Sequence, residues 1–262
     1  MDKKTQPIGF FDSGVGGLSV FARFREILPN ENVLYFGDLL HLPYGNKSKN
    51  ELVLFARNIL NFYKSKDVKS VIIACNTSSA QAYETIKDEY DFKIYPIIQS
   101  CAKVIAESGV SRIGVFATEA TVNSKKYTQE ILKYNNNIQV REIACKDWVS
   151  LVENTAADIK KAKLSVKNKV TEMMEFKPDK IILGCTHFPY LIDELEQYAS
   201  KDIYIDPAKI FVEFIKKDMK EKLNPDKNLG YEKFYVSSSP ENFVKNSRIF
   251  YNVKSKPEIV KF

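Results

Sequence analysis

The apolar positions of this chain follow two rhythms. In the first, Ile, Val, Leu, Phe and Tyr succeed one another for a few residues and then stop. The runs "IGFFD" (8–12), "NVLYFGD" (32–38), "SVIIAC" (70–75) and "KIYPIIQ" (93–99) are of this kind. So are "RIGVFAT" (112–118), "QVREIAC" (139–145), "KIILGC" (180–185) and "DIYIDP" (202–207). Several are apolar without a break, which predicts strands covered on both faces, as in a parallel sheet. In the second rhythm apolar residues recur every three or four positions. "LSVFARFREIL" (18–28) and "ELVLFARNILNFYKS" (51–65) read as amphipathic helices. Strands alternating with helices across short turns predict an α/β fold.

The pattern also repeats itself. "IGFFDSG" (8–14) resembles "IGVFATE" (113–119), an offset of 105 positions. "KSVIIACNT" (69–77) resembles "DKIILGCTH" (179–187), an offset of 110. Two pairs at nearly one offset point to an internal duplication. The expected architecture is two similar, pseudo-symmetric α/β domains with mainly parallel sheets and a cleft between them. The expected division is 1–97 plus 208–262 for the first domain and 98–207 for the second. Past residue 208 the pattern is less regular, although "SSSPENFV" (237–244) resembles a capped helix start.

Composition narrows the class. Hydrophobic residues make up 44% of the 262 and charged residues 27%, ordinary for a globular protein. No apolar run reaches the roughly 18 residues of a membrane span. "MDKKTQPIGFF" holds no long apolar stretch of a leader, so a cytoplasmic protein without membrane partners is expected. The net charge of +6 is spread among acids rather than gathered in a basic block, which disfavours nucleic acid as a partner. The four cysteines, Cys75, Cys101, Cys145 and Cys185, include no CxxC, and there are two histidines, His41 and His187. Reduced thiols and no metal are expected.

The chemistry is concentrated where the repeat places it. Cys75 and Cys185 each end a strand and precede a helical pattern, at the C-terminal ends where α/β sheets bind ligands. Backbone N–H groups and the helix dipole there favour a thiolate. A single buried cysteine is more often inert packing, the reading given to Cys101 and Cys145. A matched pair across a cleft suits inversion of a stereocentre: one thiolate removes a proton from one face and the other thiol returns one to the opposite face. "DSGVGG" (12–17) leaves a strand for a helix and is neither a dinucleotide fingerprint nor a P-loop. Its glycines suit a cradle for a carboxylate or a plain turn. Asp12 is placed to orient an ammonium group or a thiol proton, or to cap the helix. "LPYGNKS" (42–48) is a turn and a candidate cleft wall. His187 is a candidate partner for Cys185 or substrate, and Glu153 alone reads as an ordinary helix acid.

"GFFDSGVGGLSV" (9–20), "PYG" (43–45), "ACNTSSA" (74–80), "GVFATEAT" (114–121) and "LGCTHFPYL" (183–191) together resemble bacterial glutamate racemases. These are cofactor-independent members of the aspartate/glutamate racemase superfamily. The likeness covers about the first 210 residues and is weaker beyond. It implies interconversion of L- and D-glutamate for peptidoglycan, no cofactor, two α/β domains and a homodimer. It implies that Cys75 deprotonates the D-isomer and Cys185 the L-isomer, assisted by Asp12, Glu153 and His187. Substrate-binding positions carried over are Asp12, Ser13, Tyr44, Gly45, Asn76, Thr77, Thr186 and His187, with Thr118 and Thr121 helping to hold a carboxylate. The family often has arginine where His41 stands and proline where Lys146 stands. Some relatives carry an N-terminal extension tied to activation by a cell-wall precursor, and with seven residues before Ile8 such regulation is not expected here.

Three other readings fit parts of the pattern. An aspartate racemase has a similar site for a substrate one methylene shorter, a difference of only about 1–3 kcal/mol. A cysteine hydrolase would use Cys185 with His187 as base. It leaves Cys75 idle, and a histidine two residues away does not readily swing onto the same sulfur. A non-catalytic glutamate-binding protein with two lobes would bind without exchanging the α-proton.

Overall fold

The computed structural model describes residues 3–153 and 155–262. Strands and helices alternate from the start: β1 (Ile8–Asp12), α1 (Leu18–Ile27), β2 (Val33–Gly37), α2 (Lys49–Ser65) and β3 (Ser70–Ile73). Next come α3 (Asn76–Gln81), α4 (Tyr83–Ile86), β4 (Lys93–Pro96) and α5 (Ile97–Ala106). The second series is β5 (Arg112–Ala117), α6 (Glu119–Ser124), α7 (Lys126–Tyr134), β6 (Gln139–Ala144), α8 (Trp148–Val152) and α9 (Ile159–Glu175). It continues with β7 (Lys180–Gly184), α10 (Ile192–Leu195), β8 (Tyr204–Ile205) and α11 (Pro207–Asp218). The chain ends with β9 (Glu232–Val236), α12 (Pro240–Ser247) and β10 (Glu258–Ile259).

Every strand pairing is parallel, in two sheets. One has the order β10-β9-β2-β1-β3-β4 and the other β6-β5-β7-β8. Matching β1 to β5, β2 to β6, β3 to β7 and β4 to β8 makes the second order the same as the run β2-β1-β3-β4. The repeat seen in the sequence is therefore a repeat of topology. Central strands are buried along their whole length, as the unbroken apolar runs predicted. Edge strand β6 is mostly half-exposed, as its mixed sequence "QVREIA" requires.

Local signals set the element ends. Ser48 and Glu51 form a reciprocal capping box at the start of α2, satisfying N–H groups that have no partner inside the helix. Asp206 accepts from Ala208 N at 2.9 Å and Pro207 opens α11.

The structure departs from the expected elements in four places. The run 202–207 is a strand only at Tyr204–Ile205. The apolar run 93–99 is a strand only to Pro96, and Ile97 begins α5. The irregular tail supplies two strands, β9 and β10, that extend the first sheet. Ser239 precedes α12 as foreseen, but it sits at φ 50° and its side chain caps nothing.

Candidate active site

The sheets present their C-terminal ends to one cavity of about 110 Å³. Cys75 and Cys185 both border it. Ser13, Tyr44, Gly45, Asn76 and Thr77 line it from the first series of elements. Thr118, Thr186 and His187 line it from the second. Three expected site residues stand behind this wall. Asp12 is fully buried, Thr121 accompanies Thr118 at 3.0 Å, and Glu153 backs His187.

Cys75 follows β3 and is the residue before α3, where its sulfur accepts the N–H of Ser78 at 3.4 Å. The thiol thus occupies the place of an N-cap oxygen. Burial, with the Asp12 charge adding to it, pushes the thiol up to about 12, and hydrogen bonds from Ser78 and Ser13 offset part of this. Cys185 follows β7 in the equivalent place. Its sulfur lies 3.9 Å from His187 Nδ1. His187 was a candidate partner for this sulfur and stands beside it. The expectation that a histidine two residues away does not readily swing onto the same sulfur is corrected here. His187 takes helical angles (φ −84°, ψ −32°) at the head of a short 3₁₀ turn, which folds the ring back over the strand end.

The other ring nitrogen, His187 Nε2, is 2.8 Å from Glu153 Oε1. Burial alone would lower the histidine pKa, but the partners Cys185 and Glu153 outweigh it and lift it to about 10. The ring is held between a sulfur and a carboxyl group, an arrangement that favours its protonated form. Asp12 is raised by burial, against the pull of the nearby His187 charge. One Asp12 oxygen accepts from Gly14 N at 3.0 Å, and Oδ2 has no protein partner. Asp12 therefore ties the glycine turn, the N–H groups of Gly14 and Gly17 both favouring its charged form, and Gly17 itself precedes α1 without a side-chain cap.

The glycines do less for a ligand than the sequence suggested. A β-carbon on Gly16 would run into the His187 ring and the Thr186 hydroxyl, and one on Gly17 into Asp12. These glycines let the turn pack against its own protein, and Ser13 is the part of it that faces the cavity. On the opposite wall hydroxyls cluster. Thr77 Oγ1 and Thr118 Oγ1 are 2.9 Å apart, joining α3 to the start of α6. Tyr127 donates to Asn76 Oδ1 at 2.7 Å, which leaves the Asn76 amide nitrogen without a protein partner.

Sequence reading missed a part of the wall. Glu119 and Lys146 both border the cavity and pair at 2.6 Å. Cys145, read as packing, is 1% exposed and yet forms part of the lining. Among the described residues no group of three His, Cys, Asp or Glu side chains is placed to hold a metal ion. No helix among them is long and apolar enough to cross a membrane.

The model of the Asp/Glu/hydantoin racemase family matches residues 16–215. The chain belongs to the Asp/Glu/hydantoin racemase family. It is similar to glutamate racemase 1 of Caldanaerobacter subterraneus subsp. tengcongensis, 39% identical over 254 residues that span 96% of this chain and 94% of that protein. The fold matches the crystal structure of Francisella tularensis glutamate racemase in complex with D-glutamate. That match has a TM-score of 0.90 and 32% identity and covers 98% of both chains. An aspartate racemase of Picrophilus torridus, 18% identical with a TM-score of 0.62 over 95% of this chain and 99% of that one, shares the fold alone. The two-domain α/β plan expected from the repeat is the plan of these family members.

Proposed function

We propose that this protein is a cofactor-independent glutamate racemase in which Cys75 and Cys185 are the acid–base pair. One observation carries the reading: two thiols end topologically equivalent strands of two sheets and border the same cavity. A hydrolase needs one nucleophile and has no use for its mirror. Inversion needs a proton donor and a proton acceptor on opposite faces of one carbon.

The steps balance without any other reagent. With L-glutamate bound, the Cys185 thiolate takes the α-proton and becomes a thiol. The electron pair stays on the α-carbon, delocalised into the carboxylate, which in this proposal accepts hydrogen bonds from Asn76 Nδ2 and the Thr77, Thr118 and Thr186 hydroxyls. The Cys75 thiol gives its proton to the other face and becomes the thiolate. D-Glutamate runs the same path backwards. His187, kept positive by Glu153, steadies negative charge at the Cys185 sulfur. Asp12, behind Cys75, assists its proton transfers. Ser13, the Tyr44–Gly45 turn and His187 complete the substrate wall, and Thr121 supports Thr118.

Residues 1–97 with 208–262 form one domain in this proposal and 98–207 the other, each half-site belonging to one of them. Strand membership supports the division, since β1 to β4, β9 and β10 make one sheet and β5 to β8 the other. The family likeness supports a cytoplasmic homodimer supplying D-glutamate for peptidoglycan.

Proton NMR of the reduced protein with L-glutamate in D₂O tests the proposal, with aspartate in a parallel tube and no cofactor added. Loss of the glutamate α-proton signal with growth of the D-isomer is the expected result. Loss with aspartate alone would keep the mechanism and change the substrate. No exchange with either would overturn the two-thiol reading in favour of a binding protein.

A further inference from the structure

We propose that Asp38 and His41 are positioning residues for Tyr44 and, through it, for the turn that forms one wall of the cavity. The proposal rests on the racemase reading of that cavity. Asp38 follows β2, and its side chain is 2% exposed. A carboxylate cannot stay there without partners. It has two, both from the next few residues. The Tyr44 hydroxyl donates to Asp38 Oδ2 at 2.5 Å. His41 Nδ1 lies 2.9 and 2.8 Å from the two Asp38 oxygens, which places the hydrogen on that nitrogen. The imidazole in turn lies flat on Phe55 of α2, with ring centroids 3.9 Å apart and planes 15° from parallel.

The arrangement has a consequence for the site. The Tyr44 hydroxyl is committed to Asp38, so the turn meets substrate with its backbone and ring, and Asp38 decides where that backbone lies. Burial first, then the Asp38 charge, raise the tyrosine well above its ordinary value, which keeps its proton available as a donor. Gly45 has little room to drift, because a β-carbon there would stand 3.2 Å from Thr118 Cβ on the opposite wall. A turn that moves toward Thr118 narrows the cavity, and one that moves away loosens it. No residue of the pair touches the cavity itself, since Tyr44 and Gly45 line it and Asp38 and His41 do not.

The test is a set of four variants, Y44F, D38N, H41Q and H41R, with kcat and KM measured for both enantiomers. A hydrogen bond to a buried charge controls about tenfold in an equilibrium. Y44F and D38N are each expected to raise KM about tenfold in both directions while kcat falls by less than about threefold. The double variant should be no worse than the worse single one, because both remove the same contact. H41Q should raise KM several-fold, and H41R should restore it, since a guanidinium also donates to a carboxylate. Hydrogen exchange of the 39–46 amides should quicken in Y44F and D38N and not in H41R. Y44F removes one oxygen and keeps the ring, so it carries the test if D38N does not fold. An unchanged KM in Y44F, or additive effects of D38N and Y44F, would overturn the proposal. If the parent protein exchanges no α-proton, the racemase reading falls separately. The 39–46 amides then decide alone, and unchanged exchange in Y44F overturns the positioning role.

Discussion

The two half-sites share a plan and differ in charge. Each has a parallel strand, a cysteine at its end and a helical turn beyond. Cys75 faces the carboxylate of Asp12 and receives one backbone N–H. Cys185 faces a histidine backed by a carboxylate. The repeat puts two thiols in mirrored places, and their neighbours differ in charge: a carboxyl group beside Cys75 and a histidine beside Cys185. Enantiomers have equal free energy, so kcat/KM must be the same in both directions. The electrostatic difference can appear only as matched changes in kcat and KM.

The comparison breaks most completely when either thiol is removed. C75S and C185S should each lose racemisation by about 10²–10⁴, the contribution of a positioned acid–base group. The residual exchange should divide by enantiomer, C75S washing the α-proton from L-glutamate and C185S from D-glutamate. Exchange of both isomers by either variant, followed by NMR in D₂O, would refute the assignment of faces.

A smaller break targets one half. In G16A the new methyl runs into the His187 ring and Thr186. A misplacement of about 1 Å costs about 10²-fold in rate. The loss should lower kcat/KM equally in both directions, since Cys185 is the base in one and the acid in the other, with overall circular dichroism unchanged. An equal loss from the equivalent change at Gly14, which meets only Leu42 at 3.4 Å, would show that the turn rather than His187 is responsible.

E153Q sharpens the comparison through pH. His187 has a folded pKa of about 10 against an ordinary 6.5. Its charge therefore stabilises the fold fully below pH 6.5 and progressively less as pH rises toward 10. Activity that needs the imidazolium should be lost on the same alkaline side. Removing a charge partner at this range moves a pKa by about 1–3 units. The alkaline limb of kcat/KM should shift down by that amount in E153Q, with up to about tenfold loss at pH 8. A limb that stays in place would mean that Cys185, not Glu153, holds the proton on His187.

How far the sequence foretold this depends on where each residue sits. β1, β2, β3, β5 and β7 were legible because strands buried on both faces are nearly unbroken apolar runs, and the cysteines were legible because the repeat aligned them. β9 and β10 were not. Glu232 and Lys233 stand at the open end of β9, and β10 is two exposed residues, so neither leaves an apolar run. The Glu119–Lys146 pair escaped notice because its members sit on different elements and are partly exposed, which looks like ordinary surface charge. The roles of Gly16 and Gly17 stayed open between cradle and turn because a sequence cannot tell whether a glycine admits a ligand or a neighbouring side chain. His187 was legible as a candidate partner for Cys185, but the helical residue at the strand end that brings its ring to the sulfur leaves no mark in the sequence.

The finest expected effect lies where the halves touch. Tyr127 on α7 belongs to the second series, yet its hydroxyl donates to Oδ1 of Asn76 beside Cys75. The tyrosine is fully buried, and its hydroxyl serves as donor throughout the accessible pH range because burial raises it well above its ordinary value. Accepting this bond fixes which way the Asn76 amide points, since Oδ1 is held and Nδ2 is left without a protein partner, the donor that the proposed reading gives to a substrate carboxylate. In Y127F the amide loses that constraint and can present either atom. The cost of one neutral hydrogen bond is about 1 kcal/mol. KM should therefore rise by about fivefold, equally for both enantiomers, with the pH profile unmoved. Because the proposed role of Asn76 is to hold the carboxylate and not the reacting proton, kcat should change less than KM. A fall in kcat in one direction alone would mean that Tyr127 acts on Cys75 rather than on Asn76, and the second half would then help set the charge of the first.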